Sequence, residues 1–362
     1  MDGGNLPATE EAFRQSLNTA GVIRDFVDLR DQPYAPTLQP LRASYTVNPL
    51  LFDAAKPGRF DFGVRQQGLT GRCVGFAMAS VIDIQRRLQS ASAMAHGIAP
   101  GERVSADMLY HMARFHEHFG ARKLSEDPRA ALAEPAPMLT TDRGRAGVRT
   151  LRSVLKGFYH HGVCCEARDL ADADPSCWTP FAMCGDAGAE AQFPSVLQAK
   201  AARNTTLGAY YRLNHFLNHY HSAINETGCI LVSALLHDGW MPDAVAANNG
   251  RIPWAEGTWG QDYAHAFVVV GYTSEGFLVL NSWGEGWGCY PVEGPEGPVP
   301  VPGVALWSYA DWAENVLDGW VLRLGVSTPS AFDVSVGEQG QSMAGLGTIR
   351  AGTTPCLELL GH

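Results

Sequence analysis

The sequence predicts an α+β fold of two lobes, a helical left lobe over about residues 61–225 and a β-rich right lobe over about residues 226–325. Apolar residues recur at helical spacing directly after Cys73, as expected for a helix that buries one face. Further along, short apolar runs rich in β-branched residues alternate with turn residues, which is typical of buried strands. These runs cover residues 229–236, 264–272, 277–281 and 319–324. A chain of 362 residues can hold one large domain or two lobes around a cleft.

Three further helices are predicted in the left lobe. Ser105 precedes an apolar stripe over residues 108–118, and a hydroxyl at that place caps the free N–H groups of a first turn. Another pattern begins near Leu151 and ends at Gly162, a residue type that favours the left-handed end of a helix. The last helix is expected over about residues 207–224.

The remaining segments are interpreted as an arm, a loop and a tail. Residues 1–60 carry six prolines and one short helical pattern over residues 10–17, so we expect an arm that packs on the domain. Self-inhibition through the cleft is the alternative role for this arm. Residues 291–303 are rich in proline and glycine and are predicted to be a surface loop. Residues 326–362 are rich in glycine, serine and threonine and are predicted to be a flexible tail.

Composition argues against several classes of partner. A formal net charge of −10 disfavours binding to nucleic acid or to an anionic membrane. Residues 1–20 are polar and acidic without a signal-peptide core, and no apolar run reaches the length that spans a bilayer. We therefore expect a monomer that is cytoplasmic, or that is exported without a cleaved signal peptide.

Cys73 is the strongest candidate for a reactive group. It follows a glycine-bearing loop and opens the first predicted helix. Aligned backbone dipoles at the start of a helix favour the thiolate, which is the form that attacks carbonyl carbon. Gln67 lies six residues upstream and offers an amide N–H that can donate to a developing oxyanion.

His265 and Asn281 are predicted to meet in the right lobe. His265 opens one predicted strand and Asn281 closes the next. In an antiparallel hairpin the start of one strand lies beside the end of the other, so the two side chains come together. A histidine that is oriented by an amide and faces a thiol gives a nucleophile, a base and an orienting group.

The order Gln67, Cys73, His265, Asn281, with the run Asn-Ser-Trp-Gly that begins at Asn281, resembles the papain-like cysteine peptidases, in particular their bacterial and atypical branch. The resemblance implies a papain-like two-lobed fold with a β-barrel-like right lobe. It implies Cys73 as nucleophile, His265 as base and then acid, and Asn281 as the orienting residue. Gln67 and the backbone amide of Cys73 would form the oxyanion hole.

The same resemblance implies two substrate-binding residues. Trp283 would border the site and shield the hydrogen bond between His265 and Asn281 from water. Gly147 would pair with the substrate backbone as a short strand. The implied activity is that of a cysteine endopeptidase that hydrolyses protein or peptide substrates through a covalent acyl-enzyme, with no cofactor. The same resemblance implies a propeptide-like role for the arm of residues 1–60 as the alternative to packing on the domain.

The chain departs from the family's usual Cys-Gly-Ser-Cys-Trp pattern at Thr70, Arg72 and Val74. Thr70 removes a disulfide cysteine, and Arg72 adds a cation that is expected to lower the thiol pKa or to contact an acidic substrate group. None of the three removes a catalytic group. Two alternatives stay open: acyl transfer or deamidation on a protein glutamine by the same catalytic set, and a catalytically silent papain-fold binding protein.

The chain has eight cysteines, and an odd number remains once Cys73 is assigned as a free nucleophile. We expect most of them to be reduced and partly buried. Adjacent Cys164 and Cys165, and Cys177 with Cys184, are the pairs expected to bridge in an oxidising compartment. No metal site is predicted, because the sequence has no Cys-x-x-Cys pair.

Overall fold

The computed structural model describes residues 22–92, 101–121, 148–167, 174–178, 194–260, 263–294 and 297–325, apart from residues 27, 30, 38, 69 and 149. The described helices are α1 (Cys73–Ser92), α2 (Ala106–Ala121), α3 (Leu151–His161), α4 (Val196–Ala202), α5 (Leu217–Thr227), α6 (Pro242–Ala247) and α7 (Tyr309–Asn315). The described strands are β1 (Phe52–Asp53), β2 (Lys56–Phe60), β3 (Leu207–Arg212), β4 (Ile230–Ala234), β5 (His265–Tyr272), β6 (Gly276–Leu280), β7 (Cys289–Gly294), β8 (Gly297–Pro302), β9 (Val304–Ser308) and β10 (Val316–Leu324).

Helix α1 packs against the central sheet and begins at Cys73, as predicted. Val81 and Ile84 recur at helical spacing and are fully buried, so they form the face that contacts the core. Gly75 permits the close approach of α2, because a Cβ at this position would lie 2.6 Å from the carbonyl oxygen of Ala106. The close contact fixes the first turn of α1 against the start of α2.

Helices α2 and α3 pack against each other. As predicted, α2 begins after Ser105 and α3 ends at Gly162, whereas α2 extends to Ala121, beyond the predicted end at residue 118. The Ser105 hydroxyl accepts a hydrogen bond from the Met108 N–H at 3.0 Å, which caps α2. The Thr150 hydroxyl caps α3 in the same way by accepting from the Ser153 N–H. Helix α3 ends at Gly162, whose φ of 66° is a backbone conformation that glycine adopts without strain.

Among the described residues, six strands form one antiparallel sheet in the order β3-β10-β4-β5-β6-β9. Strands β4 and β5 lie in the middle and are buried along their whole length. Val268 of β5 pairs with Leu280 at the end of β6, so Asn281 follows β6 at the level where β5 begins. The hairpin therefore brings His265 and Asn281 to the same end of the sheet, as predicted.

The helix predicted over residues 207–224 is wrong in its first part. Residues of β3 form an edge strand that pairs with β10, with Tyr211 opposite Val321, and α5 begins only at Leu217. The adjacent aromatic residues Tyr210 and Tyr211 favour a strand, and pairing with β10 decides the conformation over the local spacing of apolar residues.

The surface loop predicted over residues 291–303 is also wrong. Most of it forms the hairpin β7–β8, in which Pro291 lies opposite Pro300. The prolines of β8 occupy alternate positions. In an antiparallel pair, the N–H groups at alternate positions point away from the partner strand, so these prolines remove no hydrogen bond between β7 and β8. Val292 and Val301 occupy the intervening positions and are buried. Exposed and more buried residues thus alternate along the segment, as expected for strands.

The described part of residues 1–60 contacts the domain through its backbone and ends in the hairpin β1–β2. The Val22 N–H donates to the carbonyl oxygen of Ala264 at 3.1 Å. Tyr45 forms an isolated antiparallel bridge with Tyr272 at the end of β5. The arm is thus tied to both ends of the strand that begins with His265.

Four predicted features lie outside the described residues: the helical pattern over residues 10–17, Gly147, the pairing of Cys177 with Cys184, and the tail of residues 326–362. In the part of the chain that is described, no helix combines the length and the apolar character that crossing a bilayer requires.

Candidate active site

Cys73 lies in the first turn of α1, and its side chain is only 3% exposed. The N–H groups of Gly75 and Phe76 both bond back to the carbonyl oxygen of Arg72, which closes the first turn. The N–H groups of Cys73 and Val74 are oriented toward the thiol and favour its ionised form. The Ala266 N–H, from the residue after His265, does the same from the facing strand.

Burial nevertheless dominates the ionisation of this thiol. It raises the pKa of Cys73 to about 11, against the opposing effect of the three backbone N–H groups. Arg72 bonds to the Asp107 carboxylate at 2.5 Å and lies over the Tyr110 ring. Its charge is therefore engaged by Asp107, and the expectation that Arg72 lowers the thiol pKa does not describe this state.

The His265 ring is fixed by the amide of Asn281. His265 Nε2 lies 2.8 Å from Asn281 Oδ1, and the same oxygen accepts the Ser282 N–H at 2.7 Å. Because an atom that accepts a backbone N–H is the amide oxygen, His265 Nε2 must carry the proton in this bond. His265 Nδ1 is therefore the unprotonated nitrogen of the neutral ring.

The imidazole lies in an apolar, buried setting. His265 is 2% exposed, and the centroid of the Trp283 ring lies 4.8 Å from its own ring centroid. Burial lowers the pKa of His265 to about 4, while the hydrogen bond to Asn281 opposes that shift. The Trp283 ring is thus in a position to keep water from the His265–Asn281 bond, and its contact with substrate stays a prediction.

Gln67 is buried next to the same corner of the sheet. Its Oε1 accepts the Ser282 hydroxyl at 2.6 Å, and its Nε2 donates to the Thr70 carbonyl oxygen at 2.9 Å. The Gln67 backbone N–H also bonds to the Ser282 carbonyl oxygen at 2.9 Å. One hydrogen of the Nε2 group is left for a further acceptor, which is what an oxyanion hole requires.

Ser282 is a site residue for which the sequence predicts no role. Its N–H orients the Asn281 amide, while its hydroxyl and carbonyl oxygen hold Gln67. One residue therefore links the group that orients the base to the group proposed for the oxyanion hole. The only sequence signal is its place inside the Asn-Ser-Trp-Gly run.

The backbone of residues 65–67 is held against residues 282–284 across the two lobes. Gln66 pairs with Trp283 as an antiparallel bridge, and the Gly284 N–H bonds to the Arg65 carbonyl oxygen at 2.9 Å. The Arg65 side chain in turn forms a buried ion pair with Asp83 of α1. This pairing fixes the position of Gln67 relative to α1 and relative to the segment of residues 282–284.

Comparison with solved structures identifies the fold. Xylellain, a cysteine protease from Xylella fastidiosa, superimposes on 84% of this chain and 96% of its own, with a TM-score of 0.54 and 20% sequence identity. The chain has the papain-like fold. Digestive procathepsin L 3 of Tenebrio molitor larval midgut covers 87% of this chain and 79% of its own, with a TM-score of 0.48 and 17% identity. No protein-family model and no curated protein matches the sequence.

The papain-like fold that the sequence predicts is therefore confirmed. Within it, the structure brings Gln67, Asn281 and His265 into one network and places the Cys73 thiol against the backbone of Ala266. Because the sequence identities are 20% and 17%, the similarity to these structures concerns the fold alone. The chemistry of the site is therefore argued from the geometry of its own residues.

Proposed function

We propose that this chain is a cysteine peptidase that hydrolyses peptide bonds in protein or peptide substrates. The observation that carries the proposal is the hydrogen-bond chain from His265 through Asn281 and Ser282 to Gln67. This chain leaves His265 Nδ1 free to accept a proton and one Gln67 side-chain N–H free to donate a hydrogen bond to an oxyanion. Both functions are needed for attack by a thiol on an amide, and both lie beside the thiol-bearing end of α1.

The reaction begins with transfer of the Cys73 proton to His265 Nδ1. The thiolate attacks the carbonyl carbon, and the oxyanion is stabilised by Gln67 Nε2–H and the Cys73 backbone N–H. The C–N bond breaks as His265 gives its proton to the leaving amine. Water then attacks the thioester while His265 Nδ1 takes its proton, which releases the carboxylic acid and restores the thiol.

The enclosed state favours the neutral partners over the reactive ion pair. The pKa of Cys73 is raised to about 11 and the pKa of His265 is lowered to about 4, so both groups are neutral at pH 7. Solvent access to the cleft stabilises the thiolate and the imidazolium together, because burial is the largest cause of both shifts. We therefore expect activity to increase when solvent reaches the site.

The N-terminal arm occupies a main-chain acceptor beside the site. Val22 is fully buried, and its N–H donates a hydrogen bond to the carbonyl oxygen of Ala264, the residue before His265. A peptide bound in extended form pairs with exposed main-chain groups of this kind. Arm and substrate therefore compete for the same acceptor, which supports the propeptide-like role over packing alone.

Asp25 anchors this part of the arm. Its carboxylate accepts the Arg152 N–H and the Trp320 indole N–H, the latter at 3.0 Å. Its backbone N–H bonds to the Asp318 carboxylate at 2.5 Å. Burial and the neighbouring Asp318 raise the pKa of Asp25 to about 7, so the anchor binds a proton more readily than a free carboxyl group does.

The peptidase proposal is tested by labelling and cleavage. An epoxide or iodoacetamide probe should modify Cys73 in the wild type and leave no modified peptide at this position in Cys73→Ala. A proteome-derived peptide library should be cleaved by the chain without residues 1–26, and not by the same shortened chain carrying Cys73→Ala. Ammonia release or cross-linking without cleavage would instead support action on protein glutamine, and absence of every reaction from an opened site would support a silent binding protein.

The arm is tested by comparing the full chain with a chain that begins at residue 27. In the full chain, alkylation of Cys73 should rise about tenfold per pH unit up to pH 9, as expected for a thiol with a raised pKa. In the shortened chain it should be fast and nearly constant around pH 7, because an ion pair supplies the thiolate. Val22→Pro, which removes the N–H, should give an intermediate rate. Identical profiles would contradict the role of the arm.

A further inference from the structure

A second group of thiols lies in the left lobe and takes no part in the proposed mechanism. Cys164, Cys165 and Cys177 are all free in the structure. Two hydrogen bonds bring their segments together: the Trp178 N–H donates to Cys165 O at 2.8 Å, and the Ala167 N–H donates to Trp178 O at 2.9 Å. These bonds define a parallel bridge between Glu166 and Trp178.

The register of this bridge makes Cys165 and Cys177 neighbours. Each directly precedes one of the bridged residues, and the bond from the Trp178 N–H to the Cys165 carbonyl oxygen holds the two backbones together at this step, so the register of the bridge would place the cysteines opposite each other. Parallel strands lie about 4.8 Å apart. Disulfide-linked cysteines have Cα atoms about 4.4–6.8 Å apart, so the backbone spacing suits a bond without movement of the chain.

Accessibility separates these two thiols from Cys164. Cys165 and Cys177 are partly exposed, whereas Cys164 is 2% exposed and its Sγ lies 3.4 Å from the sulfur of Met108. The Cys165 Sγ lies 3.5 Å from a Glu102 carboxylate oxygen, where the carboxylate can accept the thiol proton. An oxidant in solution can therefore reach Cys165 and Cys177, and Cys164 is packed in the core.

We propose that Cys165 and Cys177 form a reversible disulfide when the protein meets a two-electron oxidant of the peroxide class. One thiolate attacks a peroxide oxygen, the O–O bond breaks, and a sulfenic acid and water form. The second thiolate attacks that sulfur, the S–S bond forms, and the S–O bond breaks to release a second water. Both thiol protons end in water, the two sulfurs lose two electrons, and the peroxide gains them.

The surroundings set the speed of this reaction. Burial and the Glu102 carboxylate raise the pKa of Cys165 to about 11, and burial and Asp174 raise the pKa of Cys177. Only a small fraction of either thiol is ionised at pH 7, so the pair resists brief exposure and responds to sustained oxidation. The rate should increase with pH between pH 7 and 9, because a larger fraction of each thiol is then ionised.

The bond would brace the start of α2 and the approach to α4. Cys165 also pairs with Val104, two residues before α2, and the Cys177 carbonyl oxygen accepts the side-chain amide of Gln198 in α4 at 2.9 Å. A disulfide between the cysteines would join these two attachments covalently. Amide hydrogen exchange at Val104 and Trp178 should therefore slow in the oxidised protein.

The test uses the full chain carrying Cys73→Ala, so that the proposed nucleophile does not react with the oxidant. Treatment with hydrogen peroxide, digestion without reduction and mass spectrometry should show a Cys165–Cys177 peptide that dithiothreitol removes. The linked peptide should be absent when Cys165→Ser or Cys177→Ser is combined with Cys73→Ala. It should remain when Cys164→Ser or Cys184→Ser is combined with Cys73→Ala. A bond from Cys177 to Cys164 or to Cys184, or oxidation to sulfinic acid without a bond, would overturn the proposal.

Discussion

The strand side and the helix side of the candidate site are held in different ways. On the strand side, hydrogen bonds of 2.6–2.8 Å join His265, Asn281, Ser282 and Gln67 in a continuous chain. On the helix side, the partners of the Cys73 thiol among the described residues are backbone N–H groups, and the largest influence on it is burial. The orientation of the base is therefore built into the fold, while the reactivity of the nucleophile depends on whether the cleft is open.

The largest expected effect comes from removing the base. His265→Ala should reduce kcat/KM of the opened enzyme by about 10³–10⁴-fold, because proton transfer and the ion pair are both lost. Steady-state kinetics on a cleaved library peptide measures this change. His219→Ala is the matched control and should stay within about twofold, since the aromatic rings that contact this histidine in the described part of the chain are those of Tyr34 and Phe216. A small effect of His265→Ala would mean that the base lies elsewhere.

The next largest effect should come from the oxyanion donor. Gln67→Ala should lower kcat by about 10²–10³-fold with little change in KM, as expected for a contact made in the transition state. Gln66→Ala is the matched control, because the neighbouring amide donates to the Trp283 carbonyl oxygen instead. If the two variants lose the same activity, the loss reflects damage to the paired backbone and not to an oxyanion hole.

Asn281→Ala should have a smaller effect with a signature in its pH dependence. Loss of a hydrogen bond to a charged ring should cost about 1.5–3 kcal/mol, or roughly 10- to 150-fold in rate. The bond to Asn281 raises the pKa of His265, so its removal lowers that pKa. The alkaline limb of the pH–rate profile, where the imidazolium loses its proton, should move to lower pH. An unmoved limb would contradict the orienting role.

Ser282→Ala should have the smallest effect and should separate the two ends of the network. The variant loses the 2.6 Å bond to Gln67 and keeps the backbone N–H that orients Asn281. A neutral hydrogen bond contributes about 0.5–1.5 kcal/mol, so kcat should fall by about 2- to 12-fold. The pH–rate profile should match the wild type. A shifted profile would show that the hydroxyl acts on His265 as well.

The parts of the site that follow from local pattern could be predicted from the sequence. Strand alternation and hairpin pairing bring His265 to Asn281, and a helix that opens at Cys73 needs only its own apolar spacing. Ser282 could not be predicted, because its role depends on the pairing of residues 65–67 with residues 282–284. That contact joins distant parts of the chain and has no local signature.

The ionisation of Cys73 depends on two opposing effects, and only one of them can be predicted from the sequence. A helix start favours a thiolate by about 0.3–1 kcal/mol. Full burial disfavours a charge by up to about 3–5 pKa units, which is several times larger. The sequence predicts the first effect, whereas the second depends on tertiary packing. The strand β3 shows the same limit, because pairing with β10 outweighs its local helical spacing.

The proline ribbon β7–β8 has a consequence for the behaviour of the protein in concentrated solution. The outward positions of β8 are filled by Pro298, Pro300 and Pro302, none of which has an N–H to offer to another chain. An exposed edge strand normally recruits further strands through such groups and so starts aggregation. The prolines leave this edge without outward N–H donors, and β2 packs beside it, where a Cβ at Gly58 would lie 2.7 Å from the Pro300 carbonyl oxygen.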